Sequence, residues 1–394
     1  MLNRCINNAV VIELLAAALL GGAAVTANAQ ENAAGTAPIP AAQVYDRSAM
    51  FPTNLSGITT FADPPAGFNP VAATPEQRAQ YGFPPAPDQA ADPNGYAAWK
   101  KAMSAAAHAK HWKGPLKITN LHSTPARIGS PPAGAAASIE GGPTTNGTSY
   151  NWSGIVNTST NTSFTSAAFN EVWSEFTVPS AQEPYGVCDN SQDYYAAVWN
   201  GIDGWSNGDV LQAGTLSYAT CSGGVNQPGY YAWIEWYPSY PILGEYDVNP
   251  GDVMYVETYA TSATRGYLYV YDYALQIFAS YSLTPTGSTR LIGNSAEYIV
   301  ERVCCDSAGY NTALANYLIS PAWEQYNYNR RNVLHYTGNT NPSTIWVSML
   351  DDPGDQYISA PYAVGVVSPY SATAESVTIF QSQNCAFSGG CTQN

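Results

Sequence analysis

An all-β fold is what residues 146–394 of this 394-residue chain predict, and three observations carry it. From Tyr150 onward, short runs rich in Val, Ile, Thr, Tyr and Trp recur, as β-branched and aromatic residues do in strands. Clusters of Gly, Asn, Asp, Ser and Pro separate them at the spacing of turns. No internal repeat interrupts the pattern, and the stretch is large but admissible for one sandwich or barrel. The expected strands are 152–156, 169–178, 196–199, 229–236, 253–261, 267–278, 296–303, 344–349 and 376–380. The segment from Asp209 to Thr215 is also of β type.

The N-terminal part has a different texture. Arg4, an apolar run from Val10 to Val25 and the small-residue site Ala27-Asn28-Ala29 predict an export signal over 1–29. That run is too short and interrupted for a membrane span, which takes roughly 20 apolar residues. Export to the extracellular space or an envelope compartment is therefore expected, with no membrane attachment once the signal is removed. Residues 30–94 are rich in Ala, Pro and polar residues and predict extended or loosely ordered chain. Strong helix formers over 96–112, with a Gly114-Pro115 stop, predict a helix. A Gly/Ala/Pro/Ser/Thr stretch over 130–148 reads as a linker, so residues 30–145 form a separate, partly helical segment before the β domain at 146–394.

Charge divides the chain at the same place. Residues 1–140 carry nine basic and eight acidic side chains; residues 141–394 carry five arginines, no lysine and twenty-one carboxylates. So acidic a domain has no footprint for nucleic acid. It fits a working environment in which many carboxylates are protonated, because self-repulsion weakens the compact state at neutral pH.

Cys5 leaves with the signal, and the six remaining cysteines predict disulfides in an exported chain. Cys385–Cys391 is the first expected pair and Cys188–Cys221 the second; a bond between adjacent Cys304 and Cys305 would be strained, and separate partners for them are the alternative. No Cys-x-x-Cys, His-Glu-x-x-His or Gly-x-Ser-x-Gly occurs, and Asp306-Ser-Ala lacks the aspartic-peptidase pattern. No metal or cofactor is expected. His335, the one histidine after the linker, reads as an exposed loop residue.

Alternation picks out the polar residues that matter. In a strand, every second side chain shares a face. Glu297 and Glu301 therefore point one way with Ile299; Trp233, Glu235 and Tyr237 share a face; Gln212 aligns with Val210 and Gly214. A buried carboxyl is costly, so each is either a paired structural acid or a group with a raised pKa suited to chemistry. Glu235 and Glu301 could serve as the acid/base pair of a glycoside hydrolase, or the aromatics could make a non-catalytic sugar-binding sandwich.

Six blocks in order carry a more specific likeness. Asn151-Trp-Ser-Gly-Ile155, Glu175-Phe-Thr-Val-Pro179, Trp199-Asn-Gly-Ile-Asp-Gly204, Leu211-Gln-Ala-Gly214, Ala232-Trp-Ile-Glu-Trp-Tyr-Pro238 and Ala296-Glu-Tyr-Ile-Val-Glu301 together resemble the glutamic peptidases called eqolisins. The resemblance implies a concanavalin-like sandwich of two large antiparallel sheets, acting as an acid endopeptidase and made as a proenzyme with residues 30–145 as prosegment. It places the catalytic dyad at Gln212 and Glu301, with Trp199, Asp203, Glu235 and Glu297 lining or supporting the site. Asn200 stands where a small apolar residue is usual, and Arg302 where an acid is usual.

The implied chemistry follows from the groups. Ionised Glu301 would take a proton from water and return it to the leaving amine, while the Gln212 amide would donate to the oxyanion. Polypeptides are the implied substrates, and a monomer is expected. Lys100, Lys101, Lys110, Lys113 and Lys117 would clamp the prosegment to the acidic domain and let go in acid, making the prosegment an intramolecular inhibitor.

Overall fold

The computed structural model describes residues 50–90, 93–129, 147–165, 168–181, 194–304, 312–315, 333–337, 343–350, 357–364, 376–381, 384–386 and 390–392. The expected signal, the linker core, Cys188 and Cys305 lie outside the described residues. No helix among the described residues is long and apolar enough to cross a membrane.

Two large, mainly antiparallel sheets face each other. Among the described residues, the first holds eight strands: seven run in order through Met50–Pro52, Ile58–Phe61, Ile277–Leu283, Arg265–Asp272, Val253–Ser262, Glu171–Thr177 and Val333–Thr337, and Lys110–His111 pairs with Ile277–Leu283 off that path. The second holds twelve, and its centre is Trp152–Thr158, Ser295–Glu301, Tyr194–Ile202, Val210–Ser222 and Val225–Tyr237. The all-β sandwich expectation is met.

Parity assigns every face. In the second sheet, Val198, Ala213, Ile234 and Val300 point inward and meet Val172, Val256 and Val270 of the first sheet in one core. Asn200 lies within that interior and is fully satisfied there. Its Nδ2 donates to Ser174 Oγ (2.9 Å) and the Val256 carbonyl (2.8 Å), and Thr258 Oγ1 donates to its Oδ1 (2.9 Å). The unusual Asn thus ties the sheets together with the partners a buried amide requires.

The outer face of the first sheet is aromatic and is covered by the N-terminal segment. Helix α1 (Pro75–Gln80) starts on a capping box in which Thr74 and Gln77 satisfy each other's backbone N–H. Helix α2 (Pro93–Ala106) lays Trp99, Ala102, Met103 and Ala106, a stripe at helical spacing, onto Trp173, Tyr255 and Tyr269. Residues 50–61 add two strands to the sheet edge at Ile277–Leu283.

Several expectations need correction. Residues 50–90, expected to be loosely ordered, form strands and a capped helix, because their sparse apolar residues (Phe61, Phe83) are buried against a neighbouring sheet rather than each other. The helix expected over 96–112 ends at Ala106, since the backbone at Lys110 and Trp112 donates to the carbonyls of Gln276 and Phe278 instead. The strand expected over 267–278 is two strands. Asp272 Oδ1 accepts from the N–H groups of Ala274 and Leu275 (2.8 Å each), closing a turn that Gln276 completes at φ 52°. His335 lies on an edge strand, opposite Trp173, and not in a loop.

Trp99 is the anchor of the helix against the sheet. Trp99→Ala is expected to weaken docking by about 3–5 kcal/mol, the usual cost of deleting a buried large aromatic. Hydrogen exchange should show it as lost protection in Pro93–Ala106 with the strands around Val198 unchanged.

Candidate active site

The second sheet's outer face holds the polar residues that alternation singled out. Antiparallel register sets Glu297 beside Gly201, Gly201 beside Gln212, and Gln212 beside Glu235, one row across four strands. The next row runs Ile299, Trp199, Gly214, Trp233. Only glycine fits at 214, because a Cβ there would sit 2.0 Å from the Val198 carbonyl and 2.7 Å from Trp199. Glu301 pairs with Ala197, two strands from Gln212 and displaced along the sheet. Long side chains close that gap.

What they close upon is the chain itself. Residues 119–129 cross this face as an extended strap. His122 exchanges backbone hydrogen bonds with Cys304 (2.5 and 2.7 Å), the Ile242 N–H donates to the Leu121 carbonyl (2.9 Å), and the Ala126 N–H donates to the Gly204 carbonyl (2.9 Å). At its middle, Ser123 is wholly buried. The Ser123 hydroxyl is hydrogen-bonded to Gln212 Oε1 (3.0 Å) and to Glu301 Oε2. Gln212 Nε2 donates to the Ser123 carbonyl oxygen (2.8 Å), and the Thr124 N–H donates to Glu301 Oε1 (2.9 Å).

Neighbours hold each of these groups. Glu235 Oε2 accepts from the Ser123 N–H (2.9 Å) and from Gln212 Nε2 (3.1 Å), and its other oxygen meets His122 Nδ1 at 3.1 Å. Trp199 Nε1 donates to Glu301 Oε2 (2.9 Å) and Asn151 Nδ2 to Glu301 Oε1 (3.2 Å). The His122 ring stands edge-on to Tyr237.

Burial sets the electrostatics. It pushes the Glu301 carboxyl up to about 8, against the opposing hydrogen bonds from Ser123 and Thr124. Burial likewise carries Glu235 well above the ordinary carboxyl range and lowers His122. A protonated Glu301 can donate to the Ser123 oxygen, which then donates onward to Gln212 Oε1. With the strap in place, the site is a closed and largely neutral network.

The six residues singled out from the sequence separate into two groups. Gln212, Glu301 and Glu235 converge on Ser123, and Trp199 joins them through Glu301. Glu297 and Asp203 stand apart. Burial, followed by the Asp203 charge, raises Glu297, and Asp203 accepts from the backbone N–H groups of Ile292 (2.6 Å), Gly293 (3.0 Å) and Asn294 (2.9 Å). Asp203, at φ 72°, therefore anchors the loop that feeds the Glu301 strand. Sequence reasoning missed the roles of Asn151 and of the strap. Asn151 sat within a quoted motif; the strap's one signal was Pro125, which holds Thr124 extended.

Parts of the chain are similar to known proteins. Residues 150–329 match the Peptidase A4 family. Aspergillopepsin-2 of Aspergillus niger is 30% identical over 168 residues, covering 39% of this chain and 56% of that protein, so the match spans about half the relative's length. Among solved structures, Scytalido-glutamic peptidase is 21% identical over 59% of this chain and 98% of its own, with a TM-score of 0.41. Aspergilloglutamic peptidase from Aspergillus niger is 22% identical over 48% and 99%, with a TM-score of 0.33. The Peptidase A4 match stops at 329, yet the sheet continues, since Ser343–Leu350 pairs with Trp152–Thr158.

Cys221 and Cys304 each take part in a disulfide. Cys385 and Cys391 stand directly opposite each other across a two-stranded ladder. Arg302, on the face opposite Glu301, donates from Nε to the Thr312 carbonyl (2.9 Å) within the described residues.

Asp203→Ala would strand three backbone donors under the site loop. The expected loss is about 3 kcal/mol, since each buried unsatisfied group costs about 1–3 kcal/mol. Denaturant unfolding should show it, with Asp203→Asn losing less because it keeps one acceptor.

Proposed function

We propose that the chain is a glutamic-type acid endopeptidase precursor whose dyad is Gln212 and Glu301. One observation carries the reading: the two side chains converge on a single peptide unit, the Gln212 amide on its carbonyl oxygen and the Glu301 carboxyl on its nitrogen. An amide N–H donor is what a developing oxyanion needs. A carboxyl within reach of the leaving nitrogen is what a general acid needs. Glu235 and Trp199 are positioning residues in this scheme, fixing the Gln212 amide and the Glu301 carboxyl respectively. A carboxylate-pair mechanism on sugars would leave Gln212 without a task, although it makes three of the hydrogen bonds described above.

The step itself is hydrolysis. Water attacks the carbonyl carbon as ionised Glu301 accepts its proton; the C–N bond breaks as that proton passes to the amine. Ionised Glu301 requires solvent, so the buried, protonated carboxyl under the strap is the resting form. Residues 1–29 act as export signal and residues 30–145 as the inhibitory prosegment, with polypeptides as substrates of a monomeric domain at 146–394. What supports the inhibitory role is the strap's burial of both dyad side chains.

The lysine contribution is small. Lys101 pairs with Glu175 (2.8 Å) and Lys117 with Asp247 (3.7 Å), but Lys113 meets Asp63 of its own segment (3.4 Å). These cations are partly or largely exposed, where solvent screening leaves ion pairs little energy.

The full chain should be latent near neutral pH and shorten itself on acidification, releasing pepstatin-insensitive activity on an unfolded protein. Gln212→Ala is expected to lower that activity by about 10²–10³, as for loss of one oxyanion donor. Glu301→Gln should abolish both shortening and activity. Full activity in either variant, by release of acid-soluble peptides, would refute the dyad.

Stability should run opposite to that of most proteins. Glu301 ordinarily titrates at 4.5 and here at about 8, and burial shifts Glu235, Glu245, Glu257 and Glu297 in the same direction. Between those values the folded state keeps protons that the unfolded chain releases, so unfolding becomes easier as pH rises. Calorimetry on inactive Gln212→Ala should give a lower Tm at pH 8 than at pH 4.5, the two ends of the Glu301 window.

A further inference from the structure

The strap presents more than an obstruction. A plug could cover this face in any register, yet this one places a peptide bond on the proposed dyad. The Ser123 carbonyl oxygen receives the Gln212 amide, and the nitrogen on the other side of the same bond, that of Thr124, faces Glu301 at 2.9 Å. The chain is extended through this point and hydrogen-bonded on both flanks, at Leu121, His122 and Ala126. Those are the contacts a substrate strand would make.

One atom is out of keeping with a productive complex. The place between Gln212 Oε1 and Glu301 Oε2, where an attacking water would be held, is taken by the Ser123 hydroxyl. That hydroxyl belongs to the residue on the acyl side of the bond. It satisfies both dyad groups as a water would, but it is tethered one carbon from Cα and cannot attack its own carbonyl. Ser123 is wholly buried, so no second water has access beside it.

We propose that the strap is a substrate stalled on the enzyme: the Ser123–Thr124 bond occupies the cleavage position, and the Ser123 side chain holds the water's place. The inference rests on the dyad reading above and adds the scissile register and the cause of arrest. It also assigns subsites. Ser123 fills the position before the cut, His122 the next one against Glu235 and Tyr237, and Leu121 packs beside the apolar cluster of Trp233 and Ile242. On removal of the hydroxyl, water enters, its oxygen bonds to the carbonyl carbon of residue 123, the C–N bond to Thr124 breaks, and one water proton passes through Glu301 to the new amine. The products are a carboxylate at 123 and a free amine at 124.

The full chain carrying Ser123→Ala supplies the test. On acidification it should be cut between 123 and 124, seen by intact mass and as an N-terminus at Thr124, whereas Ser123→Ala combined with Glu301→Gln should remain whole there. In a second measurement, peptides spanning 117–129, one native and one carrying Ser123→Ala, are given to the acid-activated wild-type enzyme. The native peptide should inhibit and be cut at least about a hundredfold more slowly than the substituted one, the scale of losing a base-activated water. If Ser123→Ala stays uncut at this bond, or if both peptides are hydrolysed alike, the stalled-substrate inference falls. Continued cleavage of an added unfolded protein in that case leaves the dyad standing; absence of that cleavage too, in the wild-type enzyme, removes both.

Discussion

The pleat of the second sheet is the constraint from which the rest follows. Gln212, Glu235 and Glu301 share one face because each sits at the same parity as its register neighbours across the strands 295–301, 194–202, 210–222 and 225–237. Their immediate neighbours in sequence, Ala213, Ile234 and Val300, point the other way and bury the inter-sheet core. A slip of one residue in any of these strands would exchange the two sets, sending carboxyls into the core and valines into the groove. Apolar burial on the inner face thus fixes the position of the polar groups on the outer one. No separate device is needed to aim the site.

Such a face carries its own cost. Gln212, Glu235 and Glu301 are completely shielded with the strap in place, and a buried polar group without a partner is expensive. The network avoids that cost by closing on itself. The strap's backbone and hydroxyl supply donors and acceptors that water would otherwise provide, and Asn151 and Trp199 fill the remaining positions on Glu301. Removing the strap exchanges those bonds for solvent. The carboxyl then ionises at a lower pH than it does under cover, which links exposure of the site to readiness of the base.

How much of this could be read from the residues differs by level. Two-residue alternation was written plainly in 297–301 and 231–237, because each strand has one face against a core and the other lined with polar or aromatic groups. The proposed dyad needed family motifs, since parity cannot distinguish Glu297 from Glu301; only Glu301 meets the strap. Residues 50–90 looked loose because their apolar residues are few and aperiodic, and they gain order only against Trp173, Tyr255 and Tyr269 of a distant part of the chain. The strap was invisible for a similar reason. Leu121-His122-Ser123-Thr124 has no pattern of its own, and its conformation is set by backbone bonds to Cys304 and Ile242 that no local signal announces.

The two attachments of the N-terminal segment also differ in kind, and this bears on how acid could act. Its first part is held by sheet hydrogen bonds and by an apolar layer around Trp99, Met103 and Phe83, interactions that do not titrate. The strap is held by polar bonds to carboxyls whose protonation burial has shifted upward. Exposed lysine pairs link the two, and screening makes them weak. A change in pH therefore works on the strap and the site far more than on the docked helix. Those carboxyls hold their protons below about 8 for Glu301, so it is rising pH, not acid, that loosens the strap, at the centre of the site and not where the charges are most numerous on the surface.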